Sequence, residues 1–406
     1  MDFLDFFAGI GGFRRGMELA GHKCVGFCEF DKFATASYTS MHLLTEEQRK
    51  YLSTLPLNKR QKEILKEEYR NGEWYANDIR RVYAGDIPKA NCWCFGFPCN
   101  DISVAGKQLG FRGNRSSLFF RVMYLIRQLE EENKPTYLFI ENVKNLLSVN
   151  GGWDFARLLI EMEQGGYDAE WQVLNSKDFG VPQNRERCFI IGHLRGRDSA
   201  EVFPIERADR ENNVSLKLFG CINGRNSQRE RVYDSSGLSP TISTVPGGNT
   251  EPKIAIPVLT PDHAEKRQNG RRFKENGEPM FTLTAQDRHG VGIGIGNPIE
   301  KDSDGIFIKI SEELTVYAVW YEKYQCYIAL RKLTPKECFR LQGWTDDYFE
   351  KAQFVNSDSQ LYKQAGNGVT VSVIQAIAEK LKEGDGKVDK QREIQRTDHK
   401  HFFTPI

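Results

Sequence analysis

Three kinds of chemically capable side chain stand at the ends of apolar runs in this sequence. A cysteine follows a proline in Gly96-Phe97-Pro98-Cys99-Asn100-Asp101-Ile102-Ser103, directly after the apolar run Cys92 to Phe97. A glutamate, Glu141, closes the run Tyr137-Leu138-Phe139-Ile140, and two arginines lie in Gln183-Asn184-Arg185-Glu186-Arg187. Short apolar runs of this kind read as buried strands, and open α/β sheets bind ligands outside the carboxyl ends of their strands. A thiolate there is a soft nucleophile and a good leaving group. If the strands are neighbours, a thiol and an acid share one pocket. Arginines at such an edge suit phosphate or carbonyl contacts. Taken singly, each has a plainer reading: Cys99 as a core cysteine, and each arginine as half of a structural ion pair.

The elements that must position these groups begin at residue 2. A strand over 2–7 runs into Ala8-Gly9-Ile10-Gly11-Gly12 and a helix over 13–20, the first βα unit of a nucleotide-binding sheet. The glycines do not match the G-x-G-x-x-G fingerprint. A second strand, 23–28, ends at Glu29-Phe30-Asp31, where an acid about 20 residues beyond the glycines can accept ribose hydroxyls. Together these features predict an adenosine-type cofactor. Residues 42–76, rich in Lys, Glu, Arg and Gln, read as one or two amphipathic helices inserted between sheet units. A short strand at 79–83 then leads to Gly85-Asp86-Ile87, a second carboxylate for the ligand. Further on, the sequence predicts a long polar loop over 101–117, a helix at 118–132, the strand at 137–140, a helix at 153–164, and strands near 169–174 and 188–193.

Composition bounds the rest. With 406 residues, 39% hydrophobic and 27% charged, the chain is long enough for two domains of ordinary globular type. No apolar run reaches the roughly 18 residues that a membrane span requires. The start, Met1-Asp2-Phe3-Leu4-Asp5, has no basic segment and is not expected to be a secretory signal. Nine cysteines, thinly spread, argue for reduced thiols in the cytoplasm. Cys92-x-Cys94 and Cys24-x3-Cys28 fall in strand-like runs without a His pair, so no metal is expected. A formal net charge of +1 does not announce a nucleic acid, which would have to be held by a local face.

From about 195 to 330 the strand–helix alternation stops. Short β-like runs, many Gly and Pro, and the clusters Arg225/Arg229/Arg231 and Arg271/Arg272/Lys274 suggest a smaller, mostly β domain that reads the major groove. A weak internal repeat at an offset of 41 residues relates Arg231–Ser243 to Arg272–Thr284. Gln286, Asp287, Arg288 and His289 follow the second copy and can bond base edges, with Arg288 the expected reader of guanine. The first copy offers Asn249 in a glycine turn. Residues 331–343 lead back to the first domain, 367–382 supply a helix against its first strand, and 384–406 form a charged tail.

The chain resembles the DNA (cytosine-5) methyltransferases of the compact bacterial or phage type. The matching stretches occur in the family's order: Asp5 to Gly12, Glu29-Phe30-Asp31, Gly85-Asp86-Ile87, Gly96 to Ser103, Glu141-Asn142-Val143, Gln183 to Arg187, Arg331 to Glu337 with Arg340-Leu341-Gln342-Gly343, and Gly366-Asn367-Gly368-Val369. Only 195–325 and the insertion are unmatched. The resemblance implies an α/β fold: a Rossmann-like S-adenosylmethionine-dependent methyltransferase domain (1–194, completed by 331–383) with a smaller, mostly β target-recognition domain (195–330). It implies Cys99 as nucleophile at carbon 6 of cytosine, Glu141 as the acid at ring nitrogen 3, and Arg187 with Arg185 on the base carbonyl. S-adenosylmethionine would be bordered by Phe7, Gly9, Ile10, Gly11, Glu29, Phe30, Asp86, Ile87, Pro98, Leu118, Asn367 and Val369. Duplex DNA would meet Ser103 on the closing loop, with Gln286, Arg288 and Asn249 in the second domain. The target base must leave the stack, at a few kcal/mol. One departure is Asn100, where the family usually has glutamine.

The resemblance further implies a monomer that acts on DNA in the bacterial cytoplasm, at the nucleoid, without a membrane. A restriction endonuclease acting separately is a partner the sequence leaves open. Two rivals stand beside this reading: a transfer-RNA cytosine methyltransferase with the same catalytic set, and a non-catalytic module that binds cofactor and DNA.

Overall fold

The computed structural model describes residues 1–98, 118–206, 218–221, 231–234, 238–241, 253–258, 305–309, 315–321 and 326–381. The chain divides into two compact units, Met1–Val181 with Arg185–Arg210 and Phe339–Ile406, and Pro182–Asn184 with Glu211–Cys338. No helix among the described residues is long and apolar enough to cross a membrane.

The first unit is organised by a seven-stranded sheet. Its strands are β1 (Asp2–Phe6), β2 (Lys23–Cys28), β3 (Trp74–Ala76), β4 (Cys92–Phe95), β5 (Tyr137–Val143), β6 (Tyr167–Asn175) and β7 (Glu186–Leu194), in the order β3-β2-β1-β4-β5-β7-β6. The first five run parallel, and β7 lies antiparallel between β5 and β6. Helices α1 (Gly12–Leu19), α2 (Lys32–His42), α3 (Glu46–Ser53), α4 (Leu57–Glu63), α5 (Leu118–Arg127) and α6 (Trp153–Gln164) connect them. Because both faces of the parallel strands are covered, β4 is apolar without alternation, and all four of its residues are buried. One face packs Leu4, Phe6, Trp93, Phe95, Leu138 and Ile140 against α5 and α6. The other packs Phe3, Cys92, Cys94, Tyr137 and Phe139 against residues of α1 and of the returning chain.

The second unit holds a six-stranded sheet in the order β11-β12-β13-β10-β9-β8, with β8 (Leu218–Cys221), β9 (Arg231–Asp234), β10 (Lys253–Val258), β11 (Gly305–Lys309), β12 (Thr315–Tyr321) and β13 (Cys326–Lys332). Every pairing is antiparallel except β9 with β10. The chain returns through α7 (Pro335–Leu341), α8 (Asp346–Gln353), α9 (Asp358–Asn367) and α10 (Val371–Ala378).

Several sequence expectations shift. The strand expected at 79–83 is instead two short 3-10 turns, Ile79–Arg81 and Ala84–Asp86. The Asp78 carboxylate accepts the Arg80 backbone N–H at 3.0 Å and pairs with its guanidinium, which closes a turn rather than extending a strand. The strand at this edge of the sheet is β3, at the end of the charged segment read as an insertion. Helix α5 stops at Arg127, five residues short of the expected end. Residues 199–205, read as the start of the second domain, stay on the first sheet. The Glu170 carboxylate accepts the backbone N–H groups of Val202 (2.7 Å) and Phe203 (3.0 Å), and Val202, Phe203 and Ile205 are buried. The helix expected over 367–382 is α10 alone, with Asn367 ending α9.

Helix α10 lies directly on α1. A Cβ added at Gly16 would stand 2.5 Å from Ile374 Cβ and 2.9 Å from the Gln375 nitrogen. In an open helix, Gly→Ala gains about 1 kcal/mol of propensity, whereas forcing a methyl into a filled interface costs about 1–3 kcal/mol. Backbone is among the clashing atoms, so the clash decides the sign. Gly16→Ala is expected to lower the thermal midpoint of the full chain. A raised midpoint in a melting experiment would mean that the α1–α10 contact is looser than this.

Candidate active site

The parallel strands end on one edge of the sheet, and β7 starts there because it runs the other way. In the β5–β7 register Glu141 lies opposite Phe189 and Val143 opposite Arg187. Alternate residues share a face, so Glu141, Val143 and Arg187 point the same way. Arg187 reaches back along the diagonal to place Nε 3.0 Å from Glu141 Oε1. The two side chains are 17% and 12% exposed, so the pair is largely shielded from water. Arg187 Nη1 also donates to the Glu186 carbonyl at 2.8 Å.

Strand β4 pairs with β5 through Phe95 opposite Ile140, which sets Gly96 beside Glu141. A Cβ at Gly96 would lie 3.0 Å from Glu141 Oε2, so the carboxylate rests on the chain that leads to Pro98. Asn142 is buried, and its Nδ2 donates to the Phe97 carbonyl at 3.0 Å. It thereby fixes the backbone two residues ahead of Cys99. Sequence reasoning gave this asparagine no role, although it sits within the Glu-Asn-Val stretch. Cys99, Asn100 and Ser103 lie outside the described residues, as do Asn249, Gln286 and Arg288.

The two arginines of the Gln183–Arg187 stretch part company. Arg185 is 3% exposed and reaches the returning chain, where Nη2 donates to the carbonyls of Gly368 (2.8 Å) and Gly366 (3.3 Å). Its own backbone N–H donates to Asn175 Oδ1 at 3.0 Å, which bends the chain just before β7 begins. Next to it, Ser176 Oγ and Thr370 Oγ1 are 2.8 Å apart, and Thr370 donates to Gln342 Oε1 at 2.8 Å.

The residues expected at a cofactor stand on the ends of β1 and β2. The turn after β1 is sharply wound, with φ of +54° at Phe7, +56° at Gly9 and +86° at Gly11. A left-handed non-glycine residue costs about 1 kcal/mol or more; at Phe7 the ring packs against the core cluster that holds Phe6 and Phe95. The Gly9 N–H donates to Glu29 Oε2 at 2.8 Å and the Asp31 N–H to Oε1 at 2.7 Å. Burial pushes the Glu29 carboxyl above its usual range, against the opposing pull of these two amides. No atom lies within 4 Å of a Cβ placed on Gly9. The Phe30 ring is 69% exposed, with the Arg80 guanidinium 5.7 Å from its centre. Asp86 and Asn367 are exposed, Ile87 is buried, and Pro98 and Leu118 are half-buried. Val369 abuts Gly12 at the start of α1, and Ile10 is buried with its carbonyl taken by His42.

An open glycine turn, a flanking carboxylate with spare lone pairs and an exposed aromatic ring suit an adenosine-bearing molecule. These residues therefore fit S-adenosylmethionine. Cys92 and Cys94, weighed above as metal ligands, are buried in β4 with sulfurs 3.7 Å apart. A separate cavity of about 320 Å³ is lined by Asp168, Glu170, His193, Arg195, Arg197 and Ser199. It lies at the opposite end of β7 from Arg187 and holds none of the expected site residues.

The strand order, with its single antiparallel β7, defines an α/β Rossmann-like methyltransferase fold. A solved structure of the Entamoeba histolytica methyltransferase EhMeth shares that fold, with a TM-score of 0.54 at 16% identity, over 94% of this chain and 97% of that one. The family model of the C-5 cytosine-specific DNA methylases matches residues 1–54 and 55–383. The chain belongs to that family and is a DNA (cytosine-5) methyltransferase. It is similar to the orphan methyltransferase M.SPBetaI of Bacillus phage SPbeta (31% identical, covering 93% of this chain and 96% of the relative). It is likewise similar to the type II methyltransferase M.Bsp6I of Bacillus sp. strain RFL6 (31% identical, covering 94% and 98%).

The geometry separates the two arginines experimentally. Arg185→Met leaves two carbonyls without their charged donor, and hydrogen bonds to charged groups contribute about 1.5–3 kcal/mol. Arg187→Met removes a single ion pair at the edge of the sheet. Thermal melts are expected to show the larger loss of stability for Arg185→Met, and methylation assays on folded protein the larger loss of activity for Arg187→Met. The reverse order would reassign the two residues.

Proposed function

We propose that this chain transfers a methyl group from S-adenosylmethionine to carbon 5 of a flipped-out cytosine in a specific duplex DNA sequence, through a covalent bond to Cys99. The observation that carries the reading is the Glu141–Arg187 pair, held against Gly96 on the strand that leads to Cys99. Carbon 5 of cytosine is a poor nucleophile. A thiolate added at carbon 6 turns the ring into an enamine, and an acid at ring nitrogen 3 takes up the charge that builds there. Glu141 serves as that acid and Arg187 holds and polarises the base carbonyl. After methylation carbon 5 loses its proton, carbon 6 releases the sulfur, and the aromatic ring returns. Arg185, given the carbonyls it bonds, supports the site from behind rather than touching the base.

S-adenosylmethionine supplies the electrophilic methyl group when bound. Gly9, Ile10 and Gly11 would give it a backbone cradle, Glu29 its ribose partner, Phe7 and Phe30 the aromatic borders, and Asp86 with Ile87 the adenine edge. Pro98, Leu118, Asn367 and Val369 complete the wall. The second unit is the target-recognition domain on this reading, with Gln286, Arg288 and Asn249 as its base-reading side chains and Ser103 facing the DNA from the loop after Cys99. Asn100, where the family usually has glutamine, would bear on how the vacated base position is handled. Action in the cytoplasm, as a phage or restriction-modification methyltransferase, accords with the family and its named relatives.

DNA containing 5-fluorocytosine tests the reading, because fluorine at carbon 5 cannot leave as a proton does and the adduct persists. Wild type with cofactor is expected to form a denaturation-resistant protein–DNA band, and Cys99→Ser to form none while still binding S-adenosylhomocysteine. Glu141→Gln should keep DNA binding and slow single-turnover methylation by about 10²-fold or more. A Cys99→Ser protein that methylates at a comparable rate would sink the covalent route. Methyl incorporation into transfer RNA in preference to DNA would move the substrate from DNA to RNA.

A further inference from the structure

The glycine turn is held by a residue that the proposed chemistry does not use. In a helix continued backwards from α1, the Arg14 N–H would bond the Ile10 carbonyl. It does not: that N–H donates to the buried Asp5 carboxyl group at 3.3 Å. Further along, the Arg15 N–H takes the Gly11 carbonyl at 2.9 Å, and the Gly11 N–H closes the turn on Ala8 at 2.8 Å. The Ile10 carbonyl is thus left outside the helix, and a buried carbonyl needs a donor. His42, the last residue of α2, supplies one, with Nε2 3.0 Å from the Ile10 oxygen. Two side chains, Asp5 and His42, between them replace one backbone bond, and the turn opens at that point.

The histidine is built in from several sides. A Cβ on Gly11 would overlap its Nε2, so residue 11 must be glycine for space as well as for its φ of +86°. Its ring is enclosed by those of Tyr38 (4.9 Å), Tyr348 (5.5 Å) and Trp344 (6.0 Å). A carbonyl can only accept, so Nε2 carries the proton, and the buried Nδ1 has no hydrogen-bond partner among the described residues. The charged and titratable groups around it are Tyr38 on its own helix, Arg14 and Arg15 on α1, and Tyr348 and Lys351 on α8. Burial, reinforced by Arg14, Arg15 and Lys351, holds its pKa well below the ordinary 6.5.

We propose that His42 is a positioning residue for cofactor binding, whose Nε2–H holds the Ile10 carbonyl and thereby keeps the Gly9–Gly11 turn in the open shape that admits S-adenosylmethionine. The proposal rests on the reading that the cofactor sits at this turn.

The test is a calorimetric titration of the full chain with S-adenosylhomocysteine, without DNA, for wild type, His42→Phe and His42→Gln. Phenylalanine keeps a ring and removes the donor; glutamine restores an N–H at comparable reach. One lost hydrogen bond corresponds to roughly a 3- to 10-fold weaker Kd for His42→Phe, and His42→Gln is expected to regain most of it. DNA affinity should not move in either variant. An unchanged Kd for His42→Phe would overturn the proposal, and so would a folded His42→Gln that binds as weakly as a folded His42→Phe. If His42→Phe does not fold, His42→Gln alone decides: a Kd within about threefold of wild type is the expected result, and a larger loss overturns the donor role. Failure of wild type to bind at all would instead remove the cofactor reading itself.

A pH series adds a second readout. With the folded pKa below 6.5, the stability that the neutral ring contributes is present above pH 6.5 and is lost as pH falls below it, because the unfolded chain takes up a proton that the native ring refuses. The melting temperature of wild type should therefore drop relative to His42→Gln between pH 7 and pH 5. A wild-type midpoint that instead rose relative to His42→Gln would mean that the native ring holds a second proton more tightly than the unfolded chain, and would overturn the single-donor state on which the proposal stands.

Discussion

The reversed direction of β7 is the constraint on which the site depends. Had β7 joined β5 in parallel, its first residues would lie at the far end of the sheet, and Arg187 would be separated from Glu141 by the length of a strand. Running antiparallel, β7 begins where β5 ends, and the diagonal from Arg187, opposite Val143, to Glu141 is closed by an ion pair of 3.0 Å. A pair so poorly exposed gains little over two hydrophobic groups as a source of stability. Losing either partner, however, strands a charge at the edge of the core. That asymmetry suits a site, because the two groups hold each other's orientation.

The returning chain is fastened to this edge by buried polar groups rather than by apolar packing alone. Ser176, Thr370 and Gln342 form a chain of hydrogen bonds, and Gln342 Nε2 donates onward to the Ala365 carbonyl at 2.8 Å. Arg185 bonds two carbonyls of the same segment. In a low-dielectric interior such bonds are strong when made and costly when broken. The segment over 339–381 therefore cannot peel from the sheet without exposing several unmet partners at once. Three stretches widely separated in sequence thus behave as one structural element beside the glycine turn, where Val369 meets Gly12.

The sheet was largely legible in the sequence, because strands buried on both faces are written as unbroken apolar runs; β1, β2, β4 and β5 were read to within a few residues. The edge strand β3 was not. Trp74–Ala76 is short and half-buried, so it carries no such run, whereas Ile79 and Val82 imitate one while Asp78 folds the backbone into turns. The boundary near residue 195 was missed for a similar reason, since the Glu170 carboxylate that captures Val202 and Phe203 lies some thirty residues away. Within the site, residue type gave Glu141 and the arginines, but nothing in Arg-Glu-Arg tells which arginine pairs with Glu141 and which bonds the Gly366 and Gly368 carbonyls. His42 left no trace in the sequence at all: its meaning comes from a carbonyl 32 residues distant, exposed only because Asp5 has taken the helix's own donor.

The topology also bears on why the nucleophile would follow β4 rather than another strand. Strand β4 lies between β1 and β5. At the carboxyl edge it is therefore flanked by the glycine turn on one side and by Glu141 on the other. On the proposed reading the methyl donor belongs to the β1 side and the proton donor to the β5 side. A group that must bond the ring while both act on it is best carried between them. The Asn142 bond to the Phe97 carbonyl ties the segment after β4 to β5, while Phe95 packs in the same cluster as Phe6 of β1. The chain leading to Cys99 is thereby braced from both neighbours. The chemistry needs the distance between donor and acid to stay constant while a base enters and leaves, and a central strand supplies that rigidity better than an edge strand or a loop anchored at one end.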